Sequence, residues 1–247
     1  MHKVKLKPIF PKRSDYPDNL EILDANGSSA AYRQIAESSA SAYFETNFLA
    51  RYFFKKRFQL TLELIDNAGS GFEILDAGCG IGFFLPSLTP IAKNIWAIDF
   101  AKYSLKYAKA MCKKRKMKKI HFKQIDLTRK LPFPAKKFDF IIFLSVFEHI
   151  KNLRKVALNL KRVLKKDGIL IAGYPNEDNP IFRLFQLAEK KLLRPNVYKT
   201  FQGTKLIHVS YAHQITAILS KNFKIEKTVN ISLLPGINFY ILKKCKL

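Results

Sequence analysis

Cysteine is scarce in this chain of 247 residues. The three that occur, Cys79, Cys112 and Cys245, are far apart and form no Cys-x-x-Cys pair. An odd number of cysteines without paired spacing argues against a disulfide framework and against a thiolate zinc site. We therefore expect a reducing compartment and no bound metal.

Long apolar runs are also lacking. No stretch approaches the roughly 18 apolar residues that a membrane-spanning helix needs. The basic start at Met1–Pro8 is not followed by the apolar segment of a signal peptide. The sequence predicts a cytoplasmic protein.

Acidic residues are few, since 19 Asp and Glu stand against 44 Lys and Arg and give a formal net charge of +25. This charge favours an anionic partner such as RNA, an anionic membrane surface or a phosphorylated metabolite. Residues 101–137 contain fourteen Lys and Arg and one acid, Asp126, with Lys113–Lys119 at their centre. This basic segment predicts phosphate binding, and a merely solvated face is the alternative.

The composition divides the chain into three parts. Residues 1–28 are polar, basic and interrupted by prolines, which predicts an arm with little structure of its own. Apolar residues at helical spacing predict a helical cap over residues 29–70. Residues 71–247 form the core, which an insertion at 176–208 interrupts.

Short apolar runs alternate with helical segments through the core, as is typical of an α/β protein whose parallel sheet carries helices on both faces. Five runs predict parallel strands: Glu73–Leu75, Ile95–Ile98, Ile120–Ile125, Phe138–Leu144 and Ile169–Ala172. Two later runs, Phe223–Val229 and Asn238–Leu242, flank a turn and predict an antiparallel hairpin.

A glycine-rich turn follows the first predicted strand. Residues 76–82, with the sequence Asp-Ala-Gly-Cys-Gly-Ile-Gly, let the backbone turn tightly and let a ligand contact the main chain. Asp99 and Asp126 end the next two predicted strands. An open α/β sheet binds ligands at this edge, so the three acids predict a ligand site there.

The three acids favour a ligand with a ribose, an adenine and an amino acid. Asp99 can accept both ribose hydroxyls, and Asp126 can accept from an exocyclic amine. The competing ligand is a dinucleotide, whose Gly-x-Gly-x-x-Gly fingerprint requires glycine where the chain has Phe83. Asp76 would also repel the pyrophosphate of a dinucleotide.

Over roughly residues 70–175 the sequence resembles the class I S-adenosylmethionine-dependent methyltransferases. Glu73–Gly82 is similar to the glycine motif of that family and Phe138–Ser145 to its fourth-strand motif. Leu164–Ile171 is similar to the segment that leads into strand five, although Asp167-Gly168 replaces the usual Pro-Gly. The resemblance implies a doubly wound, seven-stranded Rossmann-like sheet in the order 3-2-1-4-5-7-6 with strand seven antiparallel.

The resemblance also implies S-adenosylmethionine as the cofactor. The glycine turn would hold its methionine part, Asp99 the ribose, and Asp126 with Leu127 the adenine. The implied cofactor-binding residues are Asp76, Ala77, Gly78, Cys79, Gly80, Gly82, Asp99, Phe100, Asp126, Leu127 and Ser145.

The run Phe147-Glu148-His149-Ile150 resembles the small-molecule branch of this family, which includes ubiquinone-biosynthesis O-methyltransferases. This resemblance implies a small-molecule or lipid-linked acceptor, methylated on oxygen. His149 is a candidate general base, and the alternative is that it caps and packs beneath the cofactor. The candidate pocket residues are Tyr43, Tyr174, His208 and Tyr211, and Tyr43 or Arg51 is expected to close over the site.

Two further functions remain open. An RNA methyltransferase would use residues 101–137 to hold phosphates, although the sequence lacks the Asn/Asp-Pro-Pro-aromatic motif of enzymes that methylate base amines. A non-catalytic binding module on the same fold is the other.

Apolar residues cover most of the helix predicted over 179–194, which favours a helix that lies on a membrane surface. The alternative is a lid that packs against the cap or against a second subunit.

Overall fold

The computed structural model describes residues 6–17, 44, 48–65, 69–188, 208–234 and 237–247. Within these ranges lie seven strands: β1 (Phe72–Ala77), β2 (Ala92–Asp99), β3 (Ile120–Gln124), β4 (Phe138–Leu144), β5 (Leu164–Pro175), β6 (Lys224–Leu234) and β7 (Ile237–Lys246). They form one sheet in the order β3-β2-β1-β4-β5-β7-β6. All neighbouring strands are parallel except β7, which is antiparallel to β5 and β6. The α/β class and the strand order predicted from the sequence are confirmed.

Helices connect the strands and flank the sheet. They are α1 (Phe48–Leu64), α2 (Leu85–Leu88), α3 (Lys102–Lys114), α4 (Leu153–Val163), α5 (Pro180–Ala188) and α6 (Ala212–Asn222). Single 3-10 turns occur at Arg13–Asp15 and Phe147–His149. In the part of the chain that the structure describes, no helix is long and apolar enough to cross a membrane.

The sheet separates two apolar layers. Ile74 and Phe140 belong to the layer on one side, whereas Leu75 and Ile141, the next residue along each strand, belong to the other. This follows from the two-residue period of a strand, which sends successive side chains to opposite faces. Because both faces are covered, the central strands are almost continuously apolar.

The connection from α4 to β5 is shorter than the sequence indicates. The side chain of Asn152 accepts a hydrogen bond from the Lys155 N–H and caps the start of α4. The helix ends at Val163, and β5 begins at the next residue because Leu164 already pairs with Phe138 of β4. The predicted run Ile169–Ala172 is therefore only the middle of β5.

Part of the predicted arm is held against the core. The Phe10 ring stacks on Phe83 with centroids 5.3 Å apart. Ser87 Oγ accepts from the Ile9 N–H at 2.8 Å and donates to the Ile9 carbonyl at 2.9 Å. Residues 6–17 thus contact the core through Phe10 and Ile9, although one 3-10 turn is their only regular element among the described residues. The arm over residues 1–28 stays a prediction.

The helix α1 lies in the predicted cap and packs on the segment after the glycine-rich turn. Its Phe58 ring stacks on Phe84 at 4.7 Å. Tyr43 and residues 189–207 of the predicted insertion lie outside the described residues. The domain boundaries at 28 and 70 stay predictions.

Candidate active site

The glycine loop, residues 76–82, carries the chain from the end of β1 toward α2. Gly78, Gly80 and Gly82 have φ values of 82°, 52° and 76°, a region that other residues rarely adopt. A Cβ at Gly78 would collide with Val146, and one at Gly82 would come within 2.9 Å of Ala108. A Cβ at Gly80 would meet nothing within 4 Å. Packing therefore requires two of the glycines, and the third faces open space in which a ligand can approach the backbone.

Asp99 fixes the glycine loop to the end of β2. Its Oδ2 accepts from the Gly80 N–H and its Oδ1 from the Ala101 N–H, both at 2.8 Å. Burial raises the pKa of Asp99, and the N–H donors counteract this shift. Burial, followed by the charge of Asp99, raises the pKa of Asp76 to about 7. A ligand ammonium group would relieve the cost of desolvating these two carboxylates.

The carboxylate of Asp126 accepts hydrogen bonds from its own loop. Its Oδ1 accepts from the Thr128 N–H at 2.8 Å and from the Thr128 hydroxyl at 2.7 Å. Those hydrogen bonds lower the pKa of Asp126 more than its partial burial raises it. Phe100 and Leu127 lie at the same edge of the sheet, with Phe100 52% exposed and Leu127 buried. Contact of these three residues with adenine stays a prediction.

The β4 loop, residues 145–150, faces the glycine loop, because Val146 is the residue that a Cβ at Gly78 would strike. Ser145 adopts a φ of 55° and donates its N–H to the Gly173 carbonyl at 2.7 Å. Its Oγ accepts from Arg57 Nη1 at 2.6 Å and lies 2.9 Å from the Tyr240 hydroxyl. The guanidinium of Arg57 is 7% exposed and lies over the Phe58 ring.

The sequence did not indicate Arg57 or Tyr240. They come from α1 and β7 and meet Ser145 across 88 and 95 residues of chain. A signal did exist for Glu177, because it is an acid just beyond the end of β5, and Asp76 and Asp99 likewise lie at the ends of β1 and β2.

Glu148 and His149 differ in burial although they are adjacent. Glu148 is 2% exposed, and burial raises the pKa of its carboxyl to about 7. His149 is exposed on one side, yet the surrounding protein and then the His208 ring lower the pKa of His149 to about 4. His149 is therefore neutral at pH 7 and holds a free lone pair, but it attracts a proton only weakly.

His208 lies beside this pair. Its ring centroid is 5.0 Å from that of His149, and its Nδ1 is bonded to the Glu177 carboxylate. Burial alone would lower the pKa of His208, but the Glu177 hydrogen bond and the charge of Glu148 raise it overall. The Val209 N–H donates to the Glu148 carbonyl at 2.7 Å, which fixes residues 208–210 against the β4 loop.

The predicted pocket residues differ in burial and in their contacts. Tyr174 is fully buried and its hydroxyl is bonded to Thr216 Oγ1 at 2.7 Å, and its place in an acceptor pocket stays a prediction. Tyr211 is 40% exposed at the start of α6, with its ring 6.0 Å from His213. His208 lies against the β4 loop, because its neighbour Val209 donates its N–H to the Glu148 carbonyl.

Comparison with known proteins identifies the class to which this chain belongs. A family model described as "Methyltransferase domain" matches residues 75–172. A curated relative from Rickettsia typhi is 33% identical over 182 residues, which are 74% of this chain and 70% of that protein. Together with the strand order and the glycine loop, these matches identify the class. The chain belongs to the class I S-adenosylmethionine-dependent methyltransferases.

The Rickettsia typhi relative is ubiquinone biosynthesis O-methyltransferase. The protein of the same name from Rickettsia bellii is 28% identical over 158 residues, and the chain spans 64% of its length. Among solved structures, the PH0226 protein of Pyrococcus horikoshii has the same fold, with a TM-score of 0.66 at 19% identity over 83% of this chain and 95% of that one.

The described residues fit the cofactor of this class. The glycine loop leaves space at Gly80, and the buried Asp76 suits the ammonium group of the methionine part. Asp99 ends β2, where a carboxylate can accept ribose hydroxyls. When bound, S-adenosylmethionine supplies an activated methyl group on a sulfonium centre.

Proposed function

We propose that the protein transfers the methyl group of S-adenosylmethionine to an oxygen of a small-molecule or lipid-linked acceptor. The observation that carries the proposal is the contact between Gly78 of the glycine loop and Val146 of the β4 loop, the loop that also contains Ser145, Glu148 and His149. The names of the Rickettsia relatives support oxygen as the accepting atom.

In this function the chain positions the acceptor and removes its proton. In-line displacement at a sulfonium carbon requires alignment and exclusion of water more than covalent chemistry by the protein. His149 is neutral and can accept the hydroxyl proton, but its pKa of about 4 makes it a weak base. The acceptor hydroxyl therefore needs to be acidic, as a phenol is, or to be acidified by another group.

The test follows radiolabelled methyl from S-adenosylmethionine into a cell extract separated into lipid, small-molecule, RNA and protein pools. The proposal requires label in the lipid or small-molecule pool, stable to the treatments that cleave methyl esters. A phenol with two adjacent hydroxyls, offered with and without an isoprenoid tail, then distinguishes a lipid-linked acceptor from a soluble one. The Asp99→Ala variant is the control for enzyme-dependent labelling.

RNA methylation is the second candidate, and the basic segment 101–137 favours it. Its lysines on and after α3 are mostly exposed, including Lys109, Lys113 and Lys116. Two of its cations have partners in the arm, since Arg115 pairs with Asp15 at 2.8 Å and Lys114 donates to the Ser14 carbonyl. Label in the RNA pool, with binding that falls steeply as salt rises, would replace the first proposal.

Association with a membrane surface would suit a lipid-linked acceptor. The described part of α5 exposes 49% of Ile181 and 66% of Leu184, with Arg183 exposed between them. An apolar and basic surface of this kind binds anionic bilayers. Co-sedimentation with vesicles containing anionic lipid tests this, and binding that Leu184→Asp leaves unchanged would exclude α5 as the contact.

A further inference from the structure

Three potential metal ligands converge beside the β4 loop. Glu148, His149 and His208 each offer one ligand atom, and these atoms lie within 4.8 Å of one another. Ligands around a tetrahedral ion with bonds of about 2.1 Å are roughly 3.4 Å apart, so small side-chain rotations would complete the arrangement. In the part of the chain that the structure describes, this is the group with three such ligands.

Glu148 supplies an independent indication of a ligand. Its Oε2 is buried and has no hydrogen-bond partner among the described residues, and the side chain is 2% exposed. A buried carboxylate oxygen is costly to leave unsatisfied, and native proteins rarely do so. A cation between Glu148 and the two imidazoles would satisfy this oxygen.

The carboxylate of Glu177 orients the His208 ring through a hydrogen bond. Because the Nδ1 atom of His208 is bonded to the Glu177 carboxylate, the proton belongs on Nδ1 and the lone pair of Nε2 is available. The segment that carries His208 is held by two further contacts, from the Val209 N–H to the Glu148 carbonyl and from Ser210 Oγ to the Ile150 carbonyl, both at 2.7 Å. The ligands therefore come from two segments that are fixed to each other.

The charge balance around the cluster also favours a cation. Glu148 and Glu177 contribute two carboxylates, and the charge of Arg57 also acts on Glu148. The two carboxylates lie close to the imidazoles of His149 and His208, in a chain whose formal charge is +25.

We propose that Glu148, His149 and His208 bind one divalent transition-metal ion, and that Glu177 orients His208 for this purpose. Two imidazoles and one carboxylate suit Zn²⁺, Co²⁺, Mn²⁺ or Fe²⁺, and three protein ligands leave a coordination position open for water or another oxygen. The sequence predicted no metal, because its cysteines form no site and His208 is far from His149 in the chain. The proposal does not depend on which acceptor is methylated, but an ion bound here would occupy the lone pair of His149, so His149 would not act as the general base in the metal-bound protein.

The experiment titrates Zn²⁺ calorimetrically into the full, untagged chain and records the visible absorption of the Co²⁺ form. We expect one ion per chain, with affinity at least 100-fold lower in His149→Gln and in His208→Gln. Glu177→Gln should weaken binding about 10- to 100-fold, as loss of a carboxylate partner to a ligating histidine does. If Glu177→Gln binds as tightly as the original chain, the orienting role of Glu177 is wrong.

His213→Gln is the matched control. Its Nδ1 is bonded to Asp178 at 2.9 Å, as His208 is to Glu177, but it belongs to no three-ligand group among the described residues. Zn²⁺ affinity should therefore be unchanged in this variant. Failure of the chain to bind one ion, or binding that survives both His149→Gln and His208→Gln, overturns the proposal. His149 is exposed, so His149→Gln is expected to fold even if Glu148→Gln does not, and circular dichroism checks this.

Discussion

The glycine loop and the β4 loop hold their functional groups by different kinds of contact. At the glycine loop, backbone N–H groups of Gly80 and Ala101 fix the Asp99 carboxylate. At the β4 loop, side chains fix one another, as Arg57 does with Ser145. The glycine loop tolerates few substitutions, because its shape is set by the backbone conformation. A side-chain network can change residue by residue, which would suit the proposed role of the β4 loop beside the acceptor.

The largest expected effect is on cofactor binding in the Asp99→Ala variant. The change removes the acceptor for the Gly80 N–H and the carboxylate predicted to bind the ribose. Each hydrogen bond to a charged group is worth roughly 1.5–3 kcal/mol, so we expect S-adenosylmethionine affinity to fall about 100-fold or more. Calorimetric titration measures this loss.

Asp126→Ala is the comparison for that variant. Because its carboxylate is already bonded to Thr128, we expect affinity to fall less than about tenfold. Equal losses in the two variants would show that Asp126 turns from its own loop to the cofactor on binding.

The second prediction concerns the backbone of the glycine loop. Gly78→Ala places a Cβ against Val146 at a φ of 82°, so crowding and backbone strain combine. We expect the free energy of unfolding to fall by roughly 2–3 kcal/mol. Gly80→Ala, which has a φ of 52° and open space, should cost about 1 kcal/mol while still weakening cofactor binding. Urea unfolding compares the two variants, and equal stability losses would contradict the packing argument.

The third prediction concerns Arg57. Arg57→Met retains an apolar stem beside Phe58 but removes the donor to Ser145. We expect kcat/KM for the acceptor to fall about tenfold, the loss of one modest charged hydrogen bond, with cofactor affinity changed less than twofold. Tyr240→Phe, which removes the other polar partner of Ser145, should have a smaller effect. A parallel loss of cofactor affinity would assign Arg57 to the cofactor site instead.

The difference between the backbone contacts of the glycine loop and the side-chain contacts of the β4 loop explains how much of the site the sequence could predict. Asp76, Gly78 and Gly80 lie within one short segment whose pattern is itself informative, and Asp99 ends the very next strand. The alternating apolar runs predicted an α/β core, whereas the strand order came from the family resemblance. Arg57 and Tyr240 carry no such local pattern, since only the folded sheet brings α1 and β7 to Ser145.

The smallest expected effect is the pH dependence of the contact between His208 and Glu177. The pKa of His208 is raised in the folded protein, so the contact stabilises the fold fully below the unfolded pKa of about 6.5 and loses this contribution as pH rises through the higher folded pKa. In a metal-free buffer with chelator, His208→Gln should therefore cost more stability at pH 5.5 than at pH 8.5, by about 1 kcal/mol or less.

The neighbouring groups also titrate, which is why the variant is compared with the original chain at each pH. Burial favours the protonated form of Glu148 and the neutral form of His149, so their contributions to stability change with pH in opposite directions. Both groups are present in the original chain and in His208→Gln, so the part of their effect that comes from burial cancels in the difference, whereas the part that comes from the charge of His208 belongs to the measured cost. His213→Gln provides the solvent-exposed control variant, since the side chain of His213 is 67% exposed. A cost for His208→Gln that is larger at pH 8.5 than at pH 5.5 would show that the imidazole at this position is neutral in the folded protein.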